Sequence, residues 1–454
     1  MLYQTVNPAT EEIAATFDGH SDAAIEERLA SADSAFRSWR RASFAQRAAV
    51  LNEAARLLEE RDDQFAELMA VEMGKPLAEG VAEAKKCAGT CRHYAGRGEE
   101  FLRPAPHASD ASESFVRYDP LGPILAIMPW NFPFWQVVRH AAPTLMAGNV
   151  VLLKHAPSTP RCALAVEQLF RDAGAPVGIL TNLFASNEQA ARIIADSRVA
   201  GVTLTGSTRA GKQVAAIAGA HLKKTVLELG GSDPFIVLPD ADIGEAARVA
   251  VQSRCLNGGQ SCISAKRFIV HKRIYKEFAD LFLAGMTARV VGDPRDPATN
   301  IGPMARRDLR DGLADQVRRA VGEGARLLLG GEVPARRGFY YAPTVLVDVR
   351  PGMAAWEEEF FGPVALMLPC DSADHAVELA NSTPYGLGAS LWTSDRALAH
   401  DLAGRIESGG VFVNGLVKSD PRLPFGGIRE SGHGRELGRE GMLEFVNAKT
   451  VWIR

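Results

Sequence analysis

Cys262 stands in Asn257-Gly258-Gly259-Gln260-Ser261-Cys262-Ile263-Ser264-Ala265-Lys266, a run of small and polar residues that leads into the apolar segment Arg267-Phe268-Ile269-Val270. A structural thiol keeps apolar company, whereas a reactive one occupies a polar, partly accessible place where the thiolate can form. The two glycines before it let the backbone take positive φ or approach another molecule closely. The segment reads as a nucleophile loop or as a glycine turn with an incidental cysteine. Two more residues would suit carbonyl chemistry around such a thiolate. Asn131, in Pro129-Trp130-Asn131-Phe132-Pro133, can donate its amide to a developing oxyanion or can simply make a turn. Glu228, in Thr225-Val226-Leu227-Glu228-Leu229-Gly230-Gly231, is a lone carboxylate in an apolar strand. Desolvation would raise its pKa and fit it for general-base work near neutral pH. Strand alternation also allows it a solvated face, opposite both leucines.

These residues need elements to hold them. Continuous apolar runs at Pro123 to Met128, Val150 to Lys154 and Val199 to Thr205 alternate with helical patterns, the signature of a parallel sheet covered on both faces. Asn131 and Lys154 then fall at the carboxyl ends of strands, where open α/β sheets bind ligands. Lys154 by itself fits a snorkelling surface lysine better than a ligand contact. Gly206-Ser207-Thr208-Arg209-Ala210-Gly211-Lys212 is a strand-to-helix turn with amides free to meet a phosphate. It matches the first seven positions of a P-loop, but Gln213 stands where a serine or threonine should hold magnesium, which leaves a nucleotidase as the alternative. Ser21 to Trp39 and Gln46 to Met73 carry the apolar spacing of amphipathic scaffold helices, the second stopping at Gly74-Lys75-Pro76. Cys87, Cys91 and His93 lie close together, but no second ligand pair has zinc spacing, so no metal is expected.

Past Cys262 the pattern restarts. Strands at Phe268 to Val270 and Thr344 to Val347, helices at Ile274 to Ala288 and Arg306 to Glu323, and a strand and helix from Val364 to Asn381 make a second α/β unit. Val411 to Asn414 reads as a buried strand, followed by the glycine-rich loop Gly415 to Gly434. The last segment, Ala448 to Arg454, is an apolar strand that needs an edge to join, and another subunit can supply one.

Composition narrows the partners. A chain of 454 residues implies two or three domains, and a net charge of −3 without a basic stripe argues against nucleic acid and anionic membrane, leaving a small-molecule ligand. No stretch reaches the ~18 uninterrupted apolar residues of a membrane span. The N-terminus lacks the features of a secretory signal, and six scattered cysteines make no disulfide framework, so a cytoplasmic setting is expected.

Pro129-Trp130-Asn131-Phe132-Pro133, Leu153-Lys154, Gly206 to Gly211, Glu228-Leu229-Gly230-Gly231, Gly259-Gln260-Ser261-Cys262 and Glu359-Phe360-Phe361-Gly362-Pro363 together, in order and spacing, resemble the aldehyde dehydrogenase superfamily from Asn7 to the last strand. The resemblance implies an α/β fold with a Rossmann-like cofactor domain at residues 1–101 and 121–229, an α/β catalytic domain at 230–436, and a small β extension at 102–120 and 437–454 that pairs subunits into a homodimer or homotetramer. It also implies NAD or NADP as cofactor. Carried over, Cys262 is the nucleophile, Asn131 and the Cys262 amide make the oxyanion hole, and Glu228 activates water. Trp130, Lys154, Ser158, Gly206, Ser207, Gly211, Leu229, Glu359 and Phe361 form the cofactor site. Lys154 and Glu359 hold the riboses, Ser207 meets the pyrophosphate, and Phe361 packs by the nicotinamide. NAD-preferring members commonly carry a glutamate three residues after the lysine; Pro157, followed by Ser158, stands there, so NADP should be tolerated. Lys154-His155-Ala156-Pro157 and Ser419-Asp420-Pro421-Arg422 are similar to the short bacterial succinate-semialdehyde dehydrogenases, with other aliphatic or aromatic aldehydes as the alternative substrates. Arg139, Trp135, Ser419 and Arg422 are the expected substrate contacts, Arg139 as a carboxylate clamp. Leu256 departs from that pattern, because a further arginine of such enzymes belongs six residues before the nucleophile.

Overall fold

The computed structural model describes residues 2–454. Two sheets dominate it. The first has six strands in the order Gly432–His433, Lys224–Glu228, Gly201–Thr205, Pro123–Met128, Val150–His155 and Leu180–Asn182. All of these neighbours are parallel except Gly432–His433, which returns late in the chain to pair antiparallel with Lys224–Glu228. The middle strands are buried along nearly their whole length because helices cover both faces, which is why they read as continuous apolar runs. The second sheet has seven strands, in the order Arg326–Leu329, Thr344–Val347, Val364–Cys370, Arg267–His271, Pro234–Val237, Ala389–Trp392 and Val411–Val413, with only the first pair antiparallel. Val411–Val413, expected to be buried, is instead an edge strand paired only with Ala389–Trp392, and Val413 is half-exposed.

The helical scaffold differs from the periodicity in two places. Gln46 to Met73 is two helices, Phe44–Glu60 and Asp62–Met73, because Arg61 leaves helical geometry at φ −113° and ψ 19°. Leu77–Phe101 is a single 25-residue helix, obscured in the sequence by Gly80, Gly89, Gly96 and Gly98. Gly80 is there for contact rather than propensity: a Cβ would lie 2.7 Å from the Ala66 Cα. Cys87 and Cys91 sit one turn apart on the buried face of this helix and pack into the core.

The smallest sheet pairs Val446–Ile453 antiparallel with Glu113–Pro120, which in turn holds Ala105–Pro106. Among the described residues nothing pairs with the outer edge of Val446–Ile453, and Trp452 and Ile453 are about half-exposed there.

Candidate active site

The two large sheets offer opposite ends to one place. The first presents the carboxyl ends of its strands: Asn131 follows Pro123–Met128, Ser207 follows Gly201–Thr205, and Glu228 ends its own strand. The second presents entry loops, with Cys262 ahead of Arg267–His271 and Glu359 to Phe361 ahead of Val364–Cys370.

The cysteine loop has an unusual backbone. Asn257, Gly258 and Gly259 are consecutive left-handed residues at φ 55°, 63° and 75°, a conformation that asparagine tolerates and glycine takes freely. Gly259 also lies against Gly362, whose carbonyl carbon would be 2.4 Å from any Cβ. Buried side chains tie the loop down. The Asn257 Nδ2 donates to the Asn131 carbonyl at 2.8 Å and to the Gln260 carbonyl at 3.1 Å, and the Asn131 Nδ2 donates to that same Gln260 carbonyl at 3.0 Å. Arg254 donates to the carbonyls of Gly259 at 2.7 Å and Ala265 at 2.9 Å. The Lys266 Nζ donates to the Ser261 and Cys262 carbonyls and lies 3.1 Å from the Glu359 carboxylate. The Cys262 amide is left without an acceptor among the described residues.

Cys262 is half-buried at the meeting of two cavities. The first, about 170 Å³, is lined by Phe132, Trp135, Leu256, Ile263 and Phe425, with Glu79, Glu83, Lys86, Arg139, Ser261 and Ser419 among its polar groups. The second, about 260 Å³, is lined by Trp130, Asn131, Thr205, Gly206, Ser207, Leu229, Leu309, Glu359 and Phe361. Cys262 and Gln136 face both. Trp130 and Phe361 meet edge-to-face, with centroids 5.7 Å apart. Ser207 caps the helix Thr208–Ala220, and that helix start, with no large side chain at Gly206, is a place where a phosphate fits. The Glu359 carboxylate, paired with Lys266, lines this cavity. An extended dinucleotide with hydroxyl and phosphate groups suits this second cavity.

The electrostatics suit proton transfer. Burial pushes the Cys262 thiol up to about 12, opposed by the cations of Lys266 and Arg139. Glu228 is 1% exposed, and neither of its carboxylate oxygens has a partner. Burial drives it well above the ordinary carboxylate range, with Arg139 pulling it down and Glu436 pushing it up. Arg139 is itself committed. It forms a buried ion pair with Glu436, donates to the Thr205 hydroxyl at 3.3 Å and lies over the Phe425 ring.

The expected site residues therefore divide. Cys262, Asn131, Trp130, Gly206, Ser207, Leu229, Glu359 and Phe361 come together around the second cavity, while Trp135, Arg139 and Ser419 join Cys262 at the first. Glu228 lies beneath, buried beside the Arg139 and Glu436 pair. Gly211 does not line the second cavity; it gives room to Leu229, whose side-chain carbon would be 2.5 Å from a Cβ. Lys154 is buried at the end of its strand, where desolvation lowers its pKa. Ser158 opens instead onto a separate cavity of about 410 Å³ with Pro157, Gln4, Arg306, Arg307 and Phe339, and its hydroxyl has no partner. Arg422 is a correction: it is 73% exposed, held by Asp420, and lines neither cavity, because its short-range carboxylate satisfies it at the surface. Lys86, Gln136, Lys266 and Glu436 escaped the sequence reading. Lys86 and Glu436 carry charges of the kind any solvated surface carries, and only long-range packing marks them out.

A model of the aldehyde dehydrogenase family matches residues 1–451. A protein of Synechocystis named as a probable NADP(+) succinate-semialdehyde dehydrogenase is 51% identical over 453 residues, covering all of both chains. The NADP(+) succinate-semialdehyde dehydrogenase 1 of Mycobacterium tuberculosis strain H37Rv is 50% identical over 456 residues, again over the whole of both. The crystal structure of succinic semialdehyde dehydrogenase from Streptococcus pyogenes with NADP+ superposes with a TM-score of 0.98 at 40% identity, covering 99% of each chain.

Proposed function

The chain belongs to the aldehyde dehydrogenase family, and from that premise we propose that it oxidises succinate semialdehyde to succinate with NADP, accepting NAD as well. One observation carries the reading. Cys262 forms part of the wall of both cavities, so a substrate entering one and a cofactor in the other meet at its sulfur.

The residues then divide the work. Lys266 and Arg139 favour the Cys262 thiolate, which adds to the aldehyde carbon and places the new oxyanion between the Asn131 Nδ2 and the free Cys262 amide. A nicotinamide in the second cavity would supply the hydride acceptor, and Cys262 would hold the acyl group as a thioester. Glu228, kept basic by burial, takes a proton from the water that attacks the thioester carbonyl. The acid departs and the thiolate is restored.

Trp130, Gly206, Ser207, Leu229, Glu359 and Phe361 are assigned to the cofactor, with Lys154 and Glu359 on its riboses. The unpartnered Ser158 hydroxyl, next to Pro157 rather than a carboxylate, favours a 2′-phosphate. We further assign residues 1–101 and 121–229 to a cofactor domain, 230–436 to a catalytic domain, and 102–120 with 437–454 to a pairing extension. The open, half-exposed edge of Val446–Ile453 suits a cytoplasmic homo-oligomer.

The test is a parallel assay of succinate semialdehyde and butanal with NADP and NAD. The expected result is a higher kcat/KM for the acidic substrate with NADP than for any other combination. Equal values for the two aldehydes would remove the succinate semialdehyde reading and leave only the family chemistry.

A further inference from the structure

Behind the cysteine loop lies a group of buried charges that the chemistry above uses only in part. Lys266, Arg254 and Arg267 are each fully buried. Arg254, from the helix Ile243–Cys255, donates to the Gly259 and Ala265 carbonyls. Arg267 donates to those of Ser232 at 2.8 Å, Leu379 at 2.6 Å and Ala380 at 2.8 Å. Two carboxylates face these three cations. Glu359 lies 3.1 Å from the Lys266 Nζ. Asp233 accepts from the Gly388 amide at 3.1 Å through Oδ1, its Oδ2 has no partner, and burial pushes it up to about 7. An Asp233 that is partly protonated near neutral pH leaves the group with net positive charge.

Lys266 is the member that touches the nucleophile. Its Nζ donates to the Cys262 carbonyl at 2.5 Å and to the Ser261 carbonyl at 2.8 Å, so two of the three ammonium protons fix the backbone at the sulfur. Its own amide donates to the Asp233 carbonyl at 3.0 Å, which ties the lysine to the head of the strand Pro234–Val237. Glu359, Asp233, Arg254 and Cys262 are the charged or titratable groups around the ammonium. Around the Cys262 thiol, Lys266 and Arg139 favour the thiolate, while Glu359 and Glu228 oppose it. Arg139 and Glu436 form a close pair with side chains 2% and 4% exposed, so their fields largely cancel at a distance. Glu359 is 17% exposed on the second cavity, where water screens it, and Lys266 keeps more of its charge for the thiol.

We propose that Lys266 is a positioning residue for the nucleophile, fixing the Cys262 carbonyl while its charge favours the thiolate, and that Glu359, beyond its place in the cofactor cavity, holds that charge back from the sulfur. This rests on Cys262 being the nucleophile. A thiolate in a half-buried place depends on a fixed cation nearby. A neutral side chain at position 266 removes that cation and leaves Glu359 facing the sulfur without its countercharge.

The test measures how fast iodoacetamide alkylates Cys262 across neutral and mildly alkaline pH in the cofactor-free enzyme. The other five cysteines are buried, and Cys262→Ser gives the background. A charge this close changes the thiolate population about 10–1,000-fold, and the weaker nucleophilicity of a more stable thiolate halves that on a logarithmic scale. Lys266→Met should therefore slow alkylation at neutral pH roughly 3–30-fold, and Lys266→Arg should restore most of the rate. Glu359→Gln should speed it, and Lys266→Met/Glu359→Gln should fall between the two single variants. The double variant leaves neither partner charged and alone, so it carries the comparison with Glu359→Gln if a thermal melt shows Lys266→Met unfolded. A Lys266→Met enzyme alkylated as fast as wild type would overturn the proposal. So would an unchanged or slower rate in Glu359→Gln, because a loosened loop predicts changes of one sign in both. Wild-type enzyme that keeps its turnover after complete alkylation would remove the nucleophile reading and this inference with it.

Discussion

Replacing Asn131 by alanine separates the chemistry of the oxyanion from the stability of the loop. Asn131 is 4% exposed, and its Nδ2 donates at 3.0 Å to the Gln260 carbonyl. That carbonyl keeps the Asn257 Nδ2 at 3.1 Å in the variant, and the bond from the same Nδ2 to the Asn131 main-chain carbonyl at 2.8 Å is untouched. The Asn131 Oδ1 has no donor, so its removal sacrifices nothing. The folding cost is therefore one hydrogen bond, about 1 kcal/mol, and a Tm shift below about 4 °C for a chain of this size. The catalytic cost is larger. An oxyanion donor acts where charge develops, and its loss slows reaction by about 10²–10³, equivalent to ~2.7–4 kcal/mol. Single-turnover formation of the reduced nicotinamide, followed by absorbance beside a thermal melt, reads both quantities. A rate within about threefold of wild type would refute the oxyanion assignment, because a donor made useful only in the transition state must affect the rate. A rate loss accompanied by a large fall in Tm would show that Asn131 acts by holding the loop.

Glu228→Gln should complete a first turnover and then stall as the thioester, giving a burst of reduced cofactor stoichiometric with enzyme; unchanged steady-state turnover would show that another base activates water. Since Glu228 is raised and must be ionised to act, wild-type turnover should increase with pH through a limb above the ordinary carboxylate range, a limb absent from the variant. Pro157→Glu puts a carboxylate next to Ser158 while its main-chain carbonyl can still accept from the Gln4 amide, so kcat/KM for NADP relative to NAD should drop at least about tenfold. An unchanged ratio would move the 2′-phosphate away from Ser158.

Much of this was legible in the chain because the signals are local. Continuous apolar runs between glycine and proline breaks mark strands buried on both faces, and those at Pro123–Met128, Val150–His155 and Gly201–Thr205 lie where the runs do. The helix Leu77–Phe101 escaped because four glycines interrupt its propensity, of which Gly80 and Gly98 serve close contacts with Ala66 and Met146. The Arg61 break between Phe44–Glu60 and Asp62–Met73 escaped because nothing in its side chain forbids helix.

The sequence by itself determined the candidates for the reacting groups: a cysteine in a glycine-rich polar loop, a glutamate in an apolar strand and an asparagine at a strand end, each ambiguous alone and singled out by six motifs in register. Only the tertiary structure decided which charges remain available. Arg139 and Arg422 are equal candidates as letters, yet one is buried against Glu436 and the other faces solvent beside Asp420. The reason is physical. Backbone preference and burial periodicity are written over a few residues, but the partner that neutralises a charge is set by elements distant in the chain, and that partner determines whether the charge can serve a ligand.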